Sequence, residues 1–316
     1  MFKNYLSVAL RALKHQRLYT AINVLGLAVG LACAILIFLF VKEELAYDNF
    51  HTQQDSIYRM ARVSYTETGD VEEYDVYLPY PLGEALLEDI PEVASVVQLT
   101  TSPTLVQSEG TTYDKNVLYA GNDFFNAFSF PLILGNPETA LANKGNMVLS
   151  EKLARQLFGD EWKNAIGQEV AVRLEDDYVA MEVTAIAENP PTNSTIQFDY
   201  VLPFEQVLAN FQEYGWDVHD WGSSWIITYV LLEENASPLA FQEKLPELYQ
   251  KYYPNTLTDF QEERGWESDL WPVSYYAQPQ ADIHWNYEIQ GGITESSNPA
   301  YSYNLGYMGA ALLLIA

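Results

Sequence analysis

The residues able to do chemistry are few and poorly spaced for it. There are four histidines, His15, His51, His219 and His284, and one cysteine, Cys33. Asp282, His284 and Glu288 have the ligand types of a metal site, because imidazole and carboxylate both bind metals. Their spacing matches no defined site, and a loop of ordinary polar residues is the better reading. Cys33 lies inside an apolar run, which removes cysteine-nucleophile chemistry. The chain has neither a G-x-S-x-G elbow nor a G-x-x-x-x-G-K-[ST] phosphate loop, so hydrolase and nucleotide-hydrolysis signatures are missing. Carboxylate pairs abound, but among 43 acidic residues any one pair is uninformative. Trp216, Trp221, Trp225, Trp266, Trp271 and Trp285 gather in the last third. They could stack on a sugar or peptide, although large aromatics more often fill a core. Asn193 and Asn235 each open a weak N-x-[ST] match. No catalytic, metal-binding or cofactor-binding residue is assigned, and no cofactor is implied.

The elements that would position these residues begin with a membrane span. Ala21 to Val41 hold 21 residues without a charge. As a helix they reach about 30 Å, the hydrocarbon thickness of a bilayer. A signal peptide has a shorter apolar region and a small-residue cleavage site, and no such site follows here. Lys3, Arg11, Lys14 and Arg17 precede the run, whereas Glu43, Glu44 and Asp48 follow it, so the N-terminus is cytosolic. Phe2, Leu6, Ala9, Leu10 and Leu13 recur at helical spacing among cations, the pattern of a helix lying on the membrane surface. Gly26, Gly30 and Ala34 form a small-residue stripe on which another helix could pack. A second apolar run, "LGYMGAALLLIA", occupies residues 305–316.

Charge divides the chain in the same place. Residues 1–42 carry five basic residues and no acid, whereas the whole chain has a net charge of −27. So acidic a surface repels phosphate backbones, which argues against nucleic acid, and it would not lie flat on anionic lipid. The outer part, about 260 residues without cysteine, can bury its own core without disulfides.

Two stretches of that part share a plan. "SIYRMARVSYT", "PLGEALLEDIP" and "VASVVQLT" read as strand, helix and strand over residues 56–100. "SSWIITYVLLEE", "SPLAFQEKLPELYQKYY" and "WPVSYYAQP" repeat the plan over 223–279, with Pro246 predicting a kink or a late helix start. Two such units sharing a sheet make a ferredoxin-like layer. Between them, a hairpin is expected near Gly110, a short helix capped by Ser150 and closed by Gly159, and two strands joined at 175–177. The fold class is therefore α+β: an N-terminal transmembrane helix, then a large domain of strand–helix–strand units with an inserted strand-rich subdomain. The expected boundaries are 1–19 for the cytosolic amphipathic helix, 20–42 for the transmembrane helix and 43–304 for the outer domain. Within the last, 43–100 and 223–304 form the α+β layer and 101–222 the insertion, and 305–316 start a second membrane helix.

The opening 51 residues, the stretch "YAGNDFFNAFSFPLILGNPETAL", the stretch "MVLSEKLARQLFGDEWKNAIGQEV", "VTAIAENPPTNSTIQFDYVLPFE" and "ADIHWNYEIQGG" resemble the MacB/FtsX-like ABC transporter permeases, in the form common in Bacteroidota. The resemblance implies a permease subunit of the bacterial inner membrane, with a MacB-like periplasmic core domain inserted after its first membrane helix. It implies a separate cytosolic ABC ATPase, a second permease copy, and periplasmic or outer-membrane partners. The implied work is mechanical: ATPase cycles are transmitted across the membrane for efflux, lipoprotein extraction or envelope maintenance. It also implies that "GYMGAALLLIA" is the first half of a truncated second membrane helix. On this reading Leu45, Tyr47 and Phe50 link membrane to domain, with neither Gly nor Pro between Val41 and Met60. Two other classes stay open, a membrane-anchored periplasmic binding or sensor domain and an envelope hydrolase using a carboxylate pair. Alkaline phosphatase fused at about residue 150 is expected to be active, by the charge asymmetry of the span. An inactive fusion with an active cytosolic reporter at the same point would reverse the orientation.

Overall fold

The computed structural model describes residues 11, 15–108 and 110–315. The expected surface helix over 2–18 lies mostly outside these. The described chain divides into two compact units, one running up to Ala46 and resuming at Asn298, the other spanning Tyr47–Ser297.

Among its described residues the first unit holds two long helices. Helix α1, Arg17–Glu44, is long and apolar enough to cross a membrane. Leu25, Val29, Leu36 and Phe38 all lie exposed along it, as side chains facing lipid do. The C-terminal helix Pro299–Ile315 begins six residues before the apolar run at Leu305. The two helices pack at small residues. A Cβ on Gly309 would stand 2.9 Å from Ile37 Cγ2, and Ala34 is buried. Ser302 Oγ donates to Glu44 Oε2 at 3.5 Å. A Cβ on Gly26 would meet nothing within 4 Å.

The second unit is built on one twelve-stranded sheet. Its first layer contains β1 (Ile57–Tyr65), β4 (Val93–Ser108), β11 (Ser224–Leu232) and β12 (Val273–Pro279). They lie in the order β12-β1-β11-β4, every neighbour antiparallel. This is the order of a ferredoxin-like split strand–helix–strand pair. Helix α2 (Leu82–Asp89) connects β1 to β4, and α6 (Pro238–Tyr252) connects β11 to β12. Leu82 and Leu86 of α2, with Phe241, Leu245 and Leu248 of α6, bury against Tyr58, Met60 and Val230 of the sheet. Ser237 caps α6 by accepting from Ala240 N–H at 3.3 Å, and Pro238 takes its first position. The helix does not start late, and Pro246 is accommodated inside it.

The strands of the expected insertion continue the same sheet. Strand β4 is 16 residues long and belongs to both parts. Its first half pairs with β11 through Leu99, and its second half pairs with β5 (Thr111–Ala120) as far as Ser108. The turn lies at Gly110, whose φ is +79°. The sheet continues through β10 (Tyr200–Pro203), β7 (Asn146–Ser150), β9 (Asp177–Ala187) and β6 (Leu132–Leu134). β8 (Glu169–Leu174) bridges β4 and β9. The short strands β2 (Val71–Asp75) and β3 (Tyr77–Pro79) add to β1 and β11. Helix α3 is Phe124–Ala127, and α4, Glu151–Phe158, is capped by Ser150 as expected. Helix α5 is Glu205–Glu213 and α7 is Thr256–Arg264. The face of the first layer opposite α2 and α6 packs Ile57, Leu99, Ile227 and Tyr229 on Phe124, Phe128 and Phe130.

Leu86 is fully buried while its neighbour Leu87 is 50% exposed. Leu86→Ala is expected to cost about 2–5 kcal/mol in denaturant unfolding, and Leu87→Ala about 0.5 kcal/mol or less. Equal losses would mean that α2 does not dock by this face.

Candidate functional site

Three segments meet where the chain enters and leaves the second unit. The inbound segment is 47–56, the outbound segment is 280–297, and between them lies the loop 189–197, "NPPTNSTIQ".

Asp48 organises the meeting. Its φ is +55°, a left-handed conformation that Asp tolerates better than most residues. Its N–H donates to Asn193 O at 2.9 Å. Its side chain turns inward, 1% exposed. Oδ1 accepts from Thr195 N–H at 2.9 Å, and Oδ2 accepts from Thr195 Oγ1 at 2.5 Å. Burial raises the Asp48 pKa above its ordinary value, against the opposing hydrogen bonds from Thr195 and Ser194 and the nearby His284. Thr195 also holds the outbound segment, since its carbonyl accepts from Thr294 Oγ1 at 3.1 Å. One residue therefore pins inbound chain with its N–H and hydroxyl and outbound chain with its carbonyl.

Aromatic contacts reinforce the pin. The Tyr47 ring stacks on His284 with centroids 3.5 Å apart and planes 2° from parallel. Tyr47 Oη donates to Thr192 O at 3.3 Å. His284 O accepts from Ser297 N–H at 2.7 Å, closing the outbound loop. Phe50 packs on the core beside Phe130. His51 is buried among Phe50, Phe128 and Phe130, and its Nδ1 accepts from Ser129 N–H at 3.0 Å. That bond makes Nε2 the protonated nitrogen of a neutral ring. Nε2 stands 3.8 Å from Asp48 Oδ1, too far for a hydrogen bond. The carboxylate would favour imidazolium, but the apolar cage outweighs it and holds the His51 pKa down at about 4.

A second anchor fixes the outbound loop to the sheet. Arg59 of β1 is 1% exposed. Its Nε and Nη2 donate to Gln278 Oε1 at 3.1 and 2.7 Å, and Nη1 donates to Gly291 O at 2.9 Å. Among the described residues no carboxylate pairs with it. A Cβ on Gly292 would stand 2.7 Å from Nη1, so glycine there lets the loop close over the guanidinium.

The sequence-predicted residues fall as follows. Tyr47 and Phe50 belong to this site, whereas Leu45 is 55% exposed and belongs to the helical unit. Asp282 is exposed and His284 is stacked on Tyr47; among the described residues no three His, Cys, Asp or Glu gather as a metal site. Ser194 and Thr195 of the N-x-[ST] match are buried within the site. The tryptophans do not form one patch. Trp221 stacks on Tyr252 of α6, Trp225 lies between Phe204 and Phe211, and Trp285 meets His284 edge-on. Asp48, His51, Arg59 and Thr195 carried no sequence signal beyond the absence of a flexible linker after Glu44. Hydroxyls beside a His and an Asp could suggest nucleophilic catalysis, but here each is buried and engaged in holding chain. The arrangement is a clasp.

A family described as the MacB-like periplasmic core domain matches residues 20–248. Among solved structures, a domain of a protein described as a permease from Porphyromonas gingivalis is similar at 24% identity and a TM-score of 0.56, covering 72% of this chain and 91% of that one. The periplasmic region of MacB from Actinobacillus actinomycetemcomitans matches at 13% identity and a TM-score of 0.47, covering 74% and 94%. No curated protein sequence matches.

The buried histidine gives a pH test. A folded-state pKa lowered to about 4 from 6.5 means that His51 contributes fully above pH 6.5 and loses that contribution as pH falls toward 4. Asp48, raised, works in the opposite sense, losing its contribution as pH rises through its folded-state value. His51→Phe removes the titration and the Ser129 acceptor. The parent chain is expected to be more stable than His51→Phe at pH 7.5, by roughly 1 kcal/mol, with the gap closing or reversing by pH 4.5. Thermal unfolding in nonionic detergent at both pH values measures it, and a gap that widens on acidification would contradict the neutral, caged ring.

Proposed function

The chain belongs to the MacB-like periplasmic core domain family of ABC transporter permeases, and from that premise we propose that it transmits the cycle of a cytosolic ATPase to the periplasm. In this reading α1 spans the inner membrane with its N-terminus cytosolic, and residues 47–297 lie in the periplasm. The hydrolysis belongs to a separate ABC ATPase subunit, and a second permease copy completes the working dimer. Gly26, Gly30 and Ala34 serve helix packing within the membrane, and Leu45, Tyr47 and Phe50 carry the link from membrane to domain. Efflux, lipoprotein extraction and envelope maintenance are all work of this kind, carried out with periplasmic or outer-membrane partners.

The observation that carries the proposal is the pin at Thr195. A domain that only bound a ligand could hang from a loose tether. Here the inbound chain is buried into the domain within four residues of Glu44, by Asp48, and the outbound chain is fixed to the same residue. A displacement of either segment is thereby delivered to the loop 189–197 and to the sheet through β1 and Arg59 rather than absorbed in slack.

A Gly/Ser insert of ~10 residues after Glu44 of a full-length homologue adds a flexible tether without touching the clasp. ATPase binding is expected to persist while the periplasmic function is lost. Unchanged periplasmic function would mean that force does not pass through this connection, and a membrane-anchored binding or sensor domain would then be the better reading.

A further inference from the structure

A cavity of about 410 Å³ opens beside α5, in the part of the sheet that the clasp does not reach. Phe211, Tyr214, Trp216 and Trp225 form its aromatic walls, and Asn210 and Glu175 supply polar groups. Phe211 and Trp225 stack at 4.4 Å and 14°, and Trp216 leans on Phe211 at 5.0 Å. Trp225 is backed by Phe204 at 5.9 Å, so the wall is fixed from behind. Trp216 and Tyr214 nevertheless remain 62% and 59% exposed. Large aromatics held together and left open to solvent are a typical lining of ligand sites. A second cavity, about 350 Å³, adjoins it and shares Ser102, Tyr119, Glu175 and Asn210. The pair thus offers an apolar chamber with a polar neighbour, joined at Glu175.

Charge decides what such a site takes. Glu175 sits at the tip of the β8–β9 turn with φ +56°. Tyr214 Oη donates to its Oε2 at 3.4 Å. Arg173, the cation nearest in sequence, lines the second cavity and is tied to the same turn, with Nε donating to Glu175 O at 3.1 Å and Nη2 to Asp176 Oδ1 at 3.4 Å. Among the described residues no cation pairs with the Glu175 carboxylate. Asp176 and Glu213 add further negative charge close enough to act on Tyr214. Aromatic faces attract cations through their quadrupoles, and the carboxylate adds a point charge of the same preference. An anion would meet repulsion from both.

We propose that this cavity binds a small organic cation with an aromatic or hydrophobic body. The body lies against Phe211, Trp216 and Trp225, and the positive charge faces Glu175. No residue of the cavity belongs to the clasp, so the inference stands whether or not the coupling role holds.

Tetraphenylphosphonium and tetraphenylborate have nearly the same shape and opposite charge, which isolates the electrostatic part. Equilibrium dialysis of the full chain in nonionic detergent, corrected with empty micelles, is expected to show saturable binding of the phosphonium at one site per chain and none of the borate. Glu175→Gln and Trp216→Ala are each expected to weaken phosphonium binding at least fivefold. Both positions are exposed, and an unchanged melting temperature verifies that each variant is folded. Equal binding of the two ions, no saturable binding of the phosphonium, or a Glu175→Gln affinity within twofold of the parent would overturn the proposal.

Discussion

A buried carboxylate must be given hydrogen bonds or it destabilises the fold, and Asp48 is such a carboxylate. Its oxygens are satisfied by two donors of one residue, Thr195, which lies 147 positions away in sequence. Much of the neighbouring structure follows from that demand. The inbound chain adopts a positive φ at a non-glycine residue to aim the side chain inward. The loop 189–197 is braced by its own bonds, with Gln197 Nε2 donating to Pro191 O at 2.7 Å and to Ser194 O at 3.0 Å. Because Thr195 gives its N–H and hydroxyl to Asp48, its carbonyl is left to face Thr294. Removing either partner would leave a buried polar group unsatisfied, a cost of about 1–3 kcal/mol, concentrated at the two points where chain passes into and out of the domain.

The sheet extends this local tie across the unit. β4 runs through both the ferredoxin-like layer and the strand-rich part, so neither can rotate against the other without breaking backbone pairing along a 16-residue strand. β1 carries Arg59 on the face opposite α2 and α6, and the buried guanidinium spends its donors on Gln278 and on carbonyls of the outbound loop. Lysine, with one compact ammonium, could not reproduce that fork. The domain is therefore suited to being moved as one body.

The architecture was largely legible because it rests on local signals. Pro81 and Pro238 at helix starts, Ser150 and Ser237 as caps, and the alternation of β1 and β12 each report on residues within a few positions. Two repeated strand–helix–strand plans were enough to suggest the shared layer. What stayed hidden depends on contacts distant in sequence. "TNST" presents as an N-x-[ST] match until Asp48 is seen folding onto it. Asp48 is one acid among 43, and Arg59 is one more basic residue in a strand. The length of β4 is also concealed in the sequence, since its composition shifts midway from apolar to polar where it leaves the first layer. The aromatic cavity was half legible: Trp216 and Trp225 were noted, but their partner Glu175 comes from a turn forty residues earlier.

Native-state hydrogen exchange at the Thr195 amide, which donates to Asp48 Oδ1, tests the central claim most directly. If the clasp makes the inbound segment, the loop and the outbound segment one cooperative body, this amide exchanges only with global unfolding, at the same free energy as the amides of β1 and β11. Asp48→Ala should then drop it into a fast local class while β1 and β11 stay slow. A Thr195 amide that already exchanges through cheap local opening in the parent chain would contradict the account, because a loop that opens freely cannot pass force between the two segments.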